Sequence, residues 1–178
     1  MTGAAWFETL LPEAAGLVAS VTVAVIGWLW AQRRKRRDEH AKLLGDAFAA
    51  VVAYKEFPFA VRRRDPDSPA TERVRLSEAM RSVQEQLAFH MAWVRGTSRP
   101  VSDAYDALVG ELRKTAGASV RAAWNGPPIA TDEQMNMPEV AAEIAHLQAF
   151  EERFVTEVHR YLQPVRSRLI RPRSRRRG

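Results

Sequence analysis

Residues 68–96 read SPATERVRLSEAMRSVQEQLAFHMAWVRG, and in them Leu76, Met80, Val83, Leu87, Met91 and Val94 recur every three or four positions. That spacing places six apolar side chains on one face of an α-helix and leaves the charged residues on the other. Ser68 before Pro69 is a start signal, because proline loses nothing in a first helical turn, and Gly96 marks the stop. A helix of this length with one apolar stripe cannot bury that stripe alone, so partner helices must lie in the neighbouring sequence.

Three such partners are legible. Upstream, Leu43, Leu44, Ala47, Phe48, Val51 and Val52 keep helical spacing until Pro58 breaks the pattern, and residues 62–70 read as a loop with two prolines and alternating charges. Downstream, the turn at Ser98 to Pro100 opens a helix with Tyr105, Leu108, Leu112, Ala116 and Val120 inward, closed by Asn125, Gly126, Pro127 and Pro128. Residues 126–137 look irregular. Pro138 then starts a last helix with Ile144, Leu147, Phe150, Phe154, Val158 and Tyr161 inward, ended by Gln163 and Pro164. Four amphipathic segments, short connections and no period-two run predict an all-α chain built on an antiparallel bundle of about four helices over residues 38–163. The stripes hold no strict heptad for long, which disfavours an extended coiled coil.

The N-terminal part has a different character. From Ala14 to Gln32 there are nineteen residues without a charge, about the length that crosses a hydrocarbon core. Pro12 stands where a helix would begin, Trp6 precedes the run, Trp28 and Trp30 close it, and Arg33, Arg34, Lys35, Arg36 and Arg37 follow directly. Aromatic residues at two interfaces and cations after the span lead to the expectation of a transmembrane helix over 12–32. Its flanks would be a short extracytoplasmic segment, 1–11, and a basic stop at 33–37. The localisation expected is a single-pass signal anchor in the cell membrane, N-terminus outside and bundle cytoplasmic, with Trp6, Trp28, Trp30 and the five cations at the membrane interface. Glu8 and Glu13 before the run argue against a cleaved signal peptide. Gly16, Ser20 and Ala24 form a ridge of small residues that admits a homodimer, although in so alanine-rich a chain the spacing also arises by chance.

Charge is unevenly spread. The net charge of +6 hides two patches: the five cations at 33–37, and a tail at 164–178 holding Arg166, Arg168, Arg171, Arg173, Arg175, Arg176 and Arg177. Those twelve cations leave −6 for everything else, so the basic character is local and suits contact with anionic inner-leaflet lipid or, less readily, nucleic acid, not a broad nucleic-acid-binding face. An even number of cytoplasmic helices would return the tail to the membrane side. With no cysteine, disulfides and thiolate metal sites are excluded.

Little in the chain points to chemistry. Glu143 and His146 form one Glu-x-x-His step, but a dimetal bundle site needs two, and His40, His90 and His159 lack a glutamate three positions earlier. His90 lacks the surroundings of a phosphoaccepting histidine, and Asp65 with Asp67 reads as a solvated turn. Trp93 and Trp124 each close a helix, where an aromatic ring either caps a core or anchors a partner. No phosphate loop, nucleophile elbow or zinc spacing occurs, and no named family is recognisable. The expectation is therefore a membrane-anchored helical interaction or scaffold module without catalysis, cofactor or metal, binding an unidentified protein. The alternatives are a nucleic-acid-binding protein using the arginine tail, and an enzyme with an unrecognised site.

Overall fold

A computed structural model describes the backbone of residues 5–163 and the side chains of residues 27–163. The described residues are all-helical, in the order α1 (Ala5–Lys55), α2 (Phe57–Arg62), α3 (Pro69–Val94), α4 (Arg99–Asn125), a 3-10 turn (Asp132–Met135), α5 (Pro138–Ala145) and α6 (Gln148–Leu162). The chain forms two compact units, residues 1–40 and residues 41–178.

In the first unit, α1 carries exposed Trp28, Leu29 and Trp30 and then the exposed run Arg33 to Arg37, with a loose ion pair between Lys35 and Glu39 at 3.9 Å. The side chains of Trp6, Gly16, Ser20 and Ala24 lie outside the described residues. Among the described residues, no helix is long and apolar enough to cross a membrane. Among the described side chains, Gly27 to Gln32 lead directly into the five cations, and helical backbone continues through those charges without a break. This finding corrects the expectation of a transmembrane helix over 12–32, and with it the single-pass localisation, N-terminus outside and bundle cytoplasmic.

The second unit is the helical bundle. Its main core joins Leu44, Ala47 and Val51 of α1, Leu87 and Val94 of α3, Leu108 and Leu112 of α4, and Leu147 and Phe154 around α6. Pairs across it give the register. Tyr105 donates its hydroxyl to the Ala47 carbonyl at 3.0 Å, and the Tyr54 hydroxyl lies beside Gly117, so α1 and α4 run in the same direction. Phe48 stacks on Phe154 and Lys55 pairs with Glu151 at 2.8 Å, so α6 runs opposite to α1. Burial of the Tyr105 ring pushes its phenol pKa up.

A second, smaller core of Phe57, Val61, Leu76, Val120 and Ala123 sits under α2. Here the sequence reading needs adjustment, because Pro58 does not end helical structure. It stands in the first turn of α2, where its missing N–H breaks no helical bond, and it is buried with Phe57 and Val61. The segment after α2 is equally fixed. Arg64 donates to the carbonyls of Ala123 at 2.9 Å and Gly126 at 2.6 Å, and its guanidinium lies 5.5 Å from the Trp124 ring. A cation thereby satisfies carbonyls that the end of α4 leaves open. Ile129 N–H closes the corner on the Arg62 carbonyl at 2.8 Å.

The expected last helix is two. Leu147 N–H bonds the Ile144 carbonyl at 3.0 Å, a tightened turn that separates α5 from α6. Apolar residues at 144, 147, 150 and 154 fit an unbroken helix equally well, so periodicity cannot register the joint.

Candidate functional site

Two features of the second unit could carry function: a hollow between α4 and α5, and the outer face of α3.

The hollow, about 430 Å³ and open to solvent, is lined by Thr115, Ala118, Ala122, Glu143 and His146. It takes up the Glu-x-x-His step noted in the sequence. The two side chains diverge, however: Glu143 accepts a 2.6 Å hydrogen bond from the buried Ser119 hydroxyl, while His146 Nε2 lies 3.3 Å from Glu111 Oε1 and 3.2 Å from Thr115 Oγ1. Thr115 already donates its hydroxyl hydrogen to the Glu111 carbonyl at 2.7 Å. Its oxygen can therefore only accept from His146, so Nε2 carries the hydrogen and faces two acceptors. A histidine nitrogen in that state cannot take a proton from Thr115, and no activated nucleophile results. Lys114 first, and then His146, lower the Glu111 carboxyl below its usual range. Among the described residues, no group of three or more His, Asp or Glu side chains is arranged to hold a metal ion. The cluster serves to tie the α5–α6 joint to α4.

The outer face of α3 is of another kind. Phe89 and Trp93, one turn apart, are 55 % and 58 % exposed with their rings 6.0 Å apart, and Val74 near the other end of the helix is 60 % exposed. Between them stand Glu78, Arg81, Ser82 and Glu85, all exposed, with Arg81 and Glu85 only 3.8 Å apart in an open ion pair. The core stripe of α3 points the opposite way, so these side chains cannot fold inward without unwinding the helix. No family model, curated protein or solved structure matches this chain.

Trp93 and Trp124 have opposite fates: the first is exposed, the second half-buried against the α2 core under Arg64. His90 sits half-buried beside Phe89, with its Nδ1 buried and without a hydrogen-bond partner. Asp65 accepts the Asp67 N–H at 2.9 Å, the local turn expected of it. Arg33, Arg34, Lys35, Arg36 and Arg37 are exposed on α1, while the arginines at 166–177 lie outside the described residues.

Three residues that matter escaped the sequence reading: Phe89, Val74 and Glu72. Phe89 and Val74 are apolar residues off the core stripe, a signal the sequence did contain. Glu72, an acid in the first turn of α3, gave none. Its carboxylate takes two hydrogen bonds from Arg75, at 2.7 and 2.8 Å, and one from Asp65 N–H at 3.3 Å. Arg75 foremost, opposed by desolvation and helped by the Asp65 N–H, holds the Glu72 carboxyl down to about 2.

Proposed function

We propose that this chain is a helical interaction module, a scaffold that docks a protein partner on the outer face of α3. The observation that supports the reading is the pair Phe89 and Trp93, more than half exposed at the end of a helix whose opposite face is buried. Exposed apolar residues scattered singly are ordinary, but two aromatic rings in contact form an anchor of the type that dominates binding energy at interfaces. Around them lie ionic groups, Arg81 and Glu85 on the same face and Arg95 near Asp106 just beyond, which supply a polar rim. No catalytic step is part of this reading: in the hollow beside His146, no base is poised on the Thr115 hydroxyl.

The test is a double substitution, F89S with W93S, in the full chain. Binding of partners recovered with the native chain should fall at least about tenfold, the consequence of removing an aromatic anchor, while the circular dichroism spectrum and melting temperature stay close to native. Retention of every partner at native strength would reject α3 as the docking face.

A further inference from the structure

The order of side chains along the outer face of α3 says more than that it is sticky. Read from the N-terminal end, the face presents Val74, then Glu78, Arg81 and Glu85, then Phe89 and Trp93, with apolar groups at both ends and opposite charges near the middle. Arg81 and Glu85 are placed symmetrically about the level of Val83, and so, within half a residue, are Val74 and Trp93. From Val74 to Trp93 the face is about 28 Å long at 1.5 Å per residue.

We infer that the surface fitting this face is the same face of a second copy, with the two α3 helices packed antiparallel about a two-fold axis level with Val83. The inference rests on the reading of α3 as a docking face and names its partner. In a two-fold interface every contact occurs twice, and a residue above the axis meets its mirror position below it. Arg81 then faces Glu85 of the second copy and Glu85 faces Arg81, giving two ion pairs beside the axis, while Val74 meets Trp93 at each end. Glu78 falls opposite Ala88, a small uncharged residue. The competing parallel arrangement sets Arg81 on Arg81, Glu78 on Glu78 and Glu85 on Glu85. Like charges in direct opposition disfavour it. Within one copy the Arg81–Glu85 contact is long, 3.8 Å, with both side chains more than 70 % exposed, so each group has capacity for a second partner. The exposed Ser82, Ala88 and Ala92 on the same side let the two backbones come close.

Sedimentation equilibrium of the full chain, with charge reversals on either side of the axis, decides the matter. The native chain should dimerise in a concentration-dependent manner. R81E alone and E85R alone should each weaken the dimer on the order of tenfold or more, since two attractive pairs become repulsive. One variant then carries two carboxylates beside the axis and the other two guanidiniums, so an equimolar mixture of the two should recover association as a heterodimer. The double variant R81E/E85R should recover the homodimer. W93S should remain monomeric even in that background. Circular dichroism of each variant excludes misfolding as the cause. A native chain that stays monomeric, a dimer indifferent to R81E, or a mixture that fails to associate would each overturn the second copy as the partner. The broader reading fails separately, when the F89S/W93S chain keeps every protein partner of the native one.

Discussion

α3 and α4 are nearly equal in length, 26 and 27 residues, and neighbours in the bundle, yet they use their surfaces in opposite ways. α4 buries twelve residues and packs against α2, α3, α5 and α6; α3 buries only Glu72, Leu76, Leu87 and Val94. Composition explains the contrast. α4 places Ala104, Ala116, Gly117, Ser119 and Ala123 among its larger apolar residues, so helices can approach it from several sides. On the outer side of α3 stand charged residues and aromatic rings instead, which leaves it at the rim with one face unused. The difference teaches where stability resides and, on the proposed reading of α3 as a docking face, where association would act: substitutions in α4 should affect folding, those on the outer face of α3 association.

The comparison can be broken most forcefully at Leu112, fully buried in α4. Leu112→Ala should lower unfolding free energy by about 2 to 5 kcal/mol, measured by urea denaturation, since a large buried side chain leaves both lost transfer energy and a cavity. A loss near that of a surface site would remove α4 from the centre. Next in size is Tyr105→Phe, which deletes the hydroxyl bound to the Ala47 carbonyl while keeping the ring against Phe154. About 0.5 to 1.5 kcal/mol should be lost, and hydrogen exchange at the α1 amides near Ala47 should quicken.

A third probe uses pH. Because the folded Glu72 carboxyl lies at about 2, below its ordinary value of 4.5, its contribution is fully present above pH 4.5 and disappears as pH falls from there towards 2. Glu72→Gln should therefore flatten the acid side of the melting-temperature profile in that window while reducing stability at neutral pH. An unchanged profile would show that the Arg75 bridge does not persist in solution. The smallest effect belongs to α3's exposed rings: measured in solutions dilute enough to be monomeric, F89S/W93S should change unfolding free energy by no more than about 0.5 kcal/mol, as for surface sites in general. A loss of several kcal/mol would mean these rings are part of the core, and the division between the two helices would collapse.

Read alone, the sequence determined the all-helical class, the extents of α3 and α4 and much of the core. The inward stripes at Tyr105, Leu108, Leu112, Ala116 and Val120, and at Leu76, Leu87 and Val94, are buried, because a period of 3.6 residues places them on one face whatever the partner. Pro69, Asn125 with Gly126, and Pro138 marked helix ends through backbone chemistry that is local by nature. What was not local was not legible. The α5–α6 joint, the role of Arg64 at the end of α4, and the bond from Tyr105 to Ala47 each depend on which groups meet across the bundle, and no spacing along the chain encodes that. The same holds for Glu143 and His146: three positions apart in sequence they resemble half a metal site, but α4 supplies each with a different partner and draws them apart. Trp93 and Trp124 looked alike at the ends of their helices, and only the tertiary structure left one on the surface and packed the other, half-buried, against the smaller core. Exposure is a property of what packs around a residue, and only the folded chain determines it.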